Sequence, residues 1–197
     1  MTQPERRLLE PLADFESREA GLLVALLDEQ SRHLLESTRG ATEAELAWQP
    51  APGVNTAGML LAHMAIDEVF WTSVLAESAF LCEQVLGIRS EDDGMPLAEG
   101  APPPAGLAGK NLAFYEDLLE SARRNTLRTT RALTPSDLTR EIEQRRRGGI
   151  LILNGRWILH HLLEHGGRHA GQIALLRHLY RTRAGAGDAP SDAAAGP

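Results

Sequence analysis

Two histidines four residues apart, His165 and His169, lie in the stretch "LLEHGGRHAGQIALLRHLY". On an α-helix that spacing leaves them about 40° apart in azimuth and one turn apart in height. Two imidazoles so placed can reach one metal ion from a single helix face, or they can form a surface pair. A tetrahedral or octahedral site needs a further ligand from another element. His63, within "LLAHMAIDEVFW", is the candidate. An imidazole among Leu60, Leu61, Ala62 and Met64 is either hydrogen-bonded in a core or held by a metal. His161 continues the line one turn before His165, but it is about 80° from His169. His160 and His178 point elsewhere.

Around this trio stand groups that could assist. Asp67 follows His63 by one turn, where it could orient His63, bind the metal or act as a base. Its other reading is a solvated acid. Arg168 adjoins His169 and is a candidate for holding an anionic cofactor, or only a surface charge. Gln172 could hold an imidazole ring. Glu68 and Glu164 point away from the neighbouring histidines. Trp71 and Trp157 are expected to fill core space. Gly166 and Gly167 each cost about 1 kcal/mol relative to Ala in a helix interior. They imply either tight helix packing or room beside the metal for a substrate.

These residues need long helices to carry them. Leu22, Leu23, Leu26, Leu27, Gln30 and Leu34 form one stripe at helical spacing over about 15–39. Further helices are expected over about 56–77, 107–132 and 155–183. Asn55 or Thr56 caps the second, and Asn154 or Gly155 starts the fourth. The stretch "GIRSEDDGMPLAEGAPPPAGLAG" reads as a long surface connection. Gly148 and Gly149 sit between two short runs that pair as a hairpin. The expected fold is therefore all-α, a four-helix bundle over 1–183 with a short hairpin before the last helix. A low-complexity tail over 184–197 is expected to be disordered.

Composition narrows the function classes. The chain has 197 residues, 43% of them hydrophobic and 5% aromatic. Its net charge of −7 is uneven, with −14 over residues 1–120 and +9 over 121–183. The cations are arginines apart from Lys110, and they lack the interleaved aromatics of a nucleic-acid stacking platform. No apolar run reaches the roughly 18–20 residues of a membrane span. The N-terminus lacks the apolar segment of a signal peptide. The expectation is a cytoplasmic protein that binds neither nucleic acid nor membrane. Cys82 is the single cysteine. Its apolar context suggests a buried, inert thiol.

The pattern "NTAGMLLAHMAIDEVFW", followed about a hundred residues later by "HHLLEHGGRHAGQIALLRHL", resembles the DinB/YfiT-like superfamily from about Leu22 to Tyr180. That resemblance implies a four-helix bundle whose His63, His165 and His169 hold a divalent ion such as zinc, nickel or iron. It also implies a thiol-dependent S-transferase or detoxifying activity. The partners would be a small-molecule electrophile and a low-molecular-weight thiol such as mycothiol or bacillithiol. Homodimers are common among such proteins. "RWILHHLLEHGGRHAG" is similar to the mycothiol-linked branch, which often has an acid where this chain has His165. Two other readings stay open at this point. One is a non-catalytic metal-binding stress-response protein, and the other a metal-dependent hydrolase with Asp67 as base.

Overall fold

The computed structural model describes residues 8–95, 100–146 and 148–187. Its long helices are α1 (Arg18–Thr38), α3 (Ala57–Leu75), α5 (Leu112–Thr130) and α7 (Gly155–Gly187). Short helices α2 (Glu43–Ala47), α4 (Cys82–Leu86) and α6 (Pro135–Thr139) lie in the connections. Strands β1 (Glu141–Arg146) and β2 (Gly149–Asn154) form one antiparallel hairpin ahead of α7. Each long helix packs on two others, α3 on α5 and α7, and α1 on α7 and α5. The expected bundle and its hairpin are both present.

The helix starts follow local chemistry. Ser17, Thr56 and Asn111 each accept a hydrogen bond from the backbone N–H three residues on, at 3.3, 3.1 and 3.0 Å. Such caps satisfy amides that have no partner inside the helix. Asn154 does the same for the N–H of Trp157 at 2.9 Å, where α7 begins. Gly40, at φ 72°, ends the α1 segment in a conformation that costs glycine little. The acidic proline stretch holds two 3-10 turns, Ser90–Asp93 and Ala105–Leu107. α4 is separate from α3 rather than an extension of it. The last helix continues past Arg183 to Gly187, and the rest of the expected tail lies outside the described residues.

Two apolar clusters fill the bundle. One gathers Leu34, Leu46, Leu60, Leu61, Tyr115 and Ile173. The other gathers Val24, Leu27, Trp71, Leu138, Ile158 and Leu162. Along α7 the first cluster reaches back to Ala170 and the second ends at Leu163. Between them the helix is left to His165 and His169. The hairpin is pinned to the second cluster by Ile142 and Leu153, which pair across the strands and are both buried. Side chains alternate along a strand, so Ile150 and Ile152 are left exposed.

The helical glycines divide by environment. A Cβ at Gly166 would lie 2.5 Å from Oε1 of Gln30, and one at Gly167 3.1 Å from its Nε2. Gln30 reaches across from α1 and donates to the carbonyl of Leu163 at 2.6 Å. The pair of glycines thus admits a neighbouring helix's side chain, the packing reading. Nothing stands within 4 Å of a Cβ at Gly171. Gly171→Ala should therefore stabilise the fold by about 1 kcal/mol. Gly166→Ala should be near neutral, because a similar propensity gain is offset by displacing the Gln30 amide. Urea denaturation of the two variants checks the contrast.

Candidate metal centre and the cavity beside it

α3 contributes His63 and α7 contributes His165 and His169. Their Nε2 atoms converge, His63 to His165 at 3.0 Å and His169 to His165 at 2.9 Å. One ligand atom from each lies within 4.8 Å of the others. His169 is buried and the other two are partly so. The other ring nitrogens are held from behind. Nδ1 of His63 lies 2.6 Å from Oδ1 of Asp93, and Nδ1 of His169 lies 2.6 Å from Oε1 of Gln172. Nδ1 of His165 lies 3.2 Å from Oδ2 of Asp67. That approach fails hydrogen-bond geometry, and Asp67 Oδ2 is left as a buried oxygen without a hydrogen-bond partner.

An ionised carboxylate only accepts hydrogen bonds. Facing one, a neutral imidazole carries its proton on Nδ1 and leaves a lone pair on Nε2. That holds for His63 before Asp93, and the amide oxygen of Gln172 does the same for His169, so their Nε2 lone pairs face Nε2 of His165 between them. A divalent ion bonded at about 2.0–2.1 Å to each of them brings imidazole nitrogens to roughly 3 Å spacing. The donor set fits such an ion: two of its separations match that spacing, all its ligand atoms lie within 4.8 Å of one another, and two of its rings have a hydrogen-bonded acceptor behind them. Histidine-only sites accept several divalent metals, so the donors alone do not choose among them.

The electrostatics of the cluster are uneven. Burial and then the charges of His169 and His63 push the pKa of His165 down to about 3. His169 is lowered too, chiefly by burial. Burial opposes charge on His63 as well, but the hydrogen bond and charge of Asp93, then the charge of Asp67, outweigh it and its pKa is raised. Asp67 is raised to about 6, mainly by burial.

The remaining candidates fall on either side of this centre. Asp67 faces His165 rather than His63. Arg168 is exposed and ion-paired with Glu164 at 2.8 Å. Glu68 is turned toward α5, where Arg123 binds it at 2.8 Å. His161 stacks between Trp157 and His165, at centroid distances of 4.8 and 5.4 Å. Trp71 fills core space as expected, but Trp157 is 40% exposed. Where the tip of the hairpin meets α3 and α7, an open cavity of about 540 Å³ remains. Trp157 lines it together with Asp67, Trp71, Arg146, His161 and His165. Asp93 belongs to the site without any signal in the sequence that marks it. Its acidic run, "SEDDG", lies in the long surface connection, and nothing local marks its pairing with a histidine thirty residues away. Arg147, in the same arginine run as Arg146, lies outside the described residues.

Cys82 is buried and removed from this chemistry. Its thiol lies 3.4 Å from the carbonyl of Ile88. Burial, then the nearby acids led by Asp93, push its pKa up to about 11. A maleimide or disulfide reagent at neutral pH should react with it far more slowly in the folded protein than in urea, because the thiolate is the reactive form. Thiol titration with and without denaturant measures the ratio.

The fold and the histidine layer together define a DinB/YfiT-like bundle. Residues 22–182 match the mycothiol-S-transferase family, and the chain belongs to it. Among solved structures it is similar to a conserved protein from Enterococcus faecalis, with a TM-score of 0.61 at 18% identity. That match covers 80% of this chain and 94% of the other, and at such identity it speaks to the fold. No curated protein matches the chain. Among the described residues no helix is long and apolar enough to cross a membrane.

Proposed function

We propose that the protein is a metal-dependent S-transferase that joins a low-molecular-weight thiol to a small electrophile. The observation that carries this reading is the convergence of three Nε2 atoms beside a cavity roomy enough for a small molecule. His63, His165 and His169 hold one divalent ion. Asp93 and Gln172 fix the rings of His63 and His169 so that their lone pairs face inward. The ion supplies Lewis acidity, which lowers the pKa of a thiol brought to it.

The chain's own groups do the rest. His165 and Asp67 belong both to the centre and to the cavity wall, so an electrophile in the cavity sits against the place where the thiol is activated. Asp67, with its pKa raised to about 6, is still largely ionised at neutral pH. Asp67 lies on the Nδ1 side of His165, away from the converging Nε2 atoms, and takes the thiol proton through a water in the cavity that it lines. The thiolate sulfur then forms its bond to the electrophilic carbon, and the leaving group departs with the electron pair of the bond it breaks.

Two measurements test this. Metal-loaded protein should accelerate conjugation of a generic electrophile to at least one of mycothiol, bacillithiol or glutathione. Acceleration with none of them would defeat the transferase reading and favour a hydrolytic or non-catalytic one. Asp67→Asn should keep the metal, since an amide oxygen can still face His165, yet slow conjugation about a hundredfold through loss of the base. Unchanged conjugation in that variant would remove Asp67 from the proton path.

A further inference from the structure

The cavity beside the centre has a character of its own. A continuous run of ring contacts links Phe80 to Phe70, Phe70 to Trp71 and Trp71 to Trp157, at centroid distances of 5.5, 5.3 and 5.2 Å. It continues through His161 to His165 at 4.8 and 5.4 Å. Here Trp157, Phe80 and Ile150 all keep substantial exposure. Trp157 lies parallel to His161, the planes within 5°, so one face of its indole is covered. The ring still lines the cavity.

Arg146 closes the hairpin side. Its guanidinium sits over Trp71 at 4.9 Å from the ring centroid. Among the described residues it forms no ion pair, although it lines the same cavity as Asp67. A stacked guanidinium keeps its N–H donors in the plane, free for an acceptor beside the ring. The cavity therefore offers an electron-rich aromatic surface, a fork of donors at its edge and His165 on its wall. Its volume lies in the range of small-molecule sites.

Resting on the transferase reading, we infer that this cavity is the electrophile subsite and that it takes planar, electron-poor aromatic electrophiles. The ring of the substrate stacks on Trp157. Arg146 donates to a nitro, carbonyl or similar acceptor on that ring. When a thiolate adds to an electron-poor halogenated ring, negative charge moves into those acceptor groups, and the guanidinium stabilises it. The carbon–sulfur bond forms, the carbon–halogen bond breaks, and halide leaves with the bonding pair. The thiol proton has gone to Asp67. No oxidant or reductant is required.

The test separates the subsite from the transferase reading. Dinitroaniline has the ring and acceptors but no leaving group, so its binding needs neither thiol nor turnover. Calorimetric titration should show about one dinitroaniline bound per chain. Trp157→Ala and Arg146→Gln should each weaken it about tenfold, with Trp157→Phe restoring much of the loss. Leu175→Ala, an exposed residue of α7 away from the cavity, should leave it unchanged. In conjugation assays Trp157→Ala should raise KM for chlorodinitrobenzene about tenfold while leaving that for iodoacetamide, which has no ring, nearly as it was. Absence of dinitroaniline binding, or binding indifferent to both substitutions, overturns the subsite. Binding of the expected pattern without any thiol conjugation overturns the transferase reading and leaves the aromatic subsite standing.

Discussion

Protein purified without an affinity tag and supplied with divalent metal is expected to carry about one ion per chain, and His169→Ala should carry none. The reason is the ligand count. Three imidazoles give the site its affinity, and the removal of the buried one leaves two donors from different helices with no third to close the set. His178→Ala is the matched control, because His178 lies nine residues further along the same helix and is exposed. Elemental analysis of the three proteins decides the matter. Equal metal in His169→Ala and the parent would refute the assignment, as would equal loss in His178→Ala. Acid should act in the same direction as the substitution. Protons and metal compete for the same lone pairs. The pKa of His63 is raised, so it is the first of the three to protonate as pH falls. Occupancy should be full in mildly alkaline buffer and decline at pH values below the raised pKa of His63, where protons begin to compete with the ion. Dialysis against a series of buffers, followed by metal analysis, reads that decline.

The histidine centre was legible where its geometry is local. The separation of His165 and His169 is a property of one helix, and any helix would place them on one face. His63 was legible from the cost of an imidazole in an apolar helix, which marks a partner without saying which. Asp93 was not legible. Its position depends on the path of a loop in which Gly94, at φ 61°, passes so close to Pro104 that a Cβ would lie 2.5 Å from the proline ring. No spacing rule predicts such a path. Gly166 and Gly167 left two readings open because packing and ligand space make the same demand for small residues. Only the reach of Gln30 from another helix chose between them. Trp157 is expected in the core because tryptophan is highly buried on average, and the open cavity that the hairpin tip leaves beside it is a tertiary feature. The long helices themselves were readable to within a few residues, since their caps and stripes lie in the sequence that forms them.

Arg123→Ala is expected to cost about 3–5 kcal/mol in stability, the range for removing one partner of a buried ion pair. The Arg123 side chain retains 13% exposure and that of Glu68 10%. Its guanidinium donates to Glu68 at 2.8 and 3.2 Å, to Asp28 at 2.5 Å and to Ser31 at 3.2 Å. One side chain on α5 thus ties α1 and α3 together at the level where the apolar clusters give way to polar residues. Without it, Glu68 keeps only the hydroxyl of Thr126 among its side-chain partners in the described residues. A carboxylate in that position must remain charged and poorly solvated or take up a proton, and either costs free energy. Arg168→Ala supplies the comparison. Its pairing with Glu164 is exposed at both ends, and its loss should change stability by less than about 1 kcal/mol. Urea unfolding of both variants, with metal removed so that ligand binding does not contribute, gives the two values. Replacing Arg123 and Glu68 together by apolar residues of similar size should recover much of the loss, because no buried charge is then left alone. A double variant as unstable as Arg123→Ala would show that the hydrogen bonds to Asp28 and Ser31, rather than the buried pair, hold this layer.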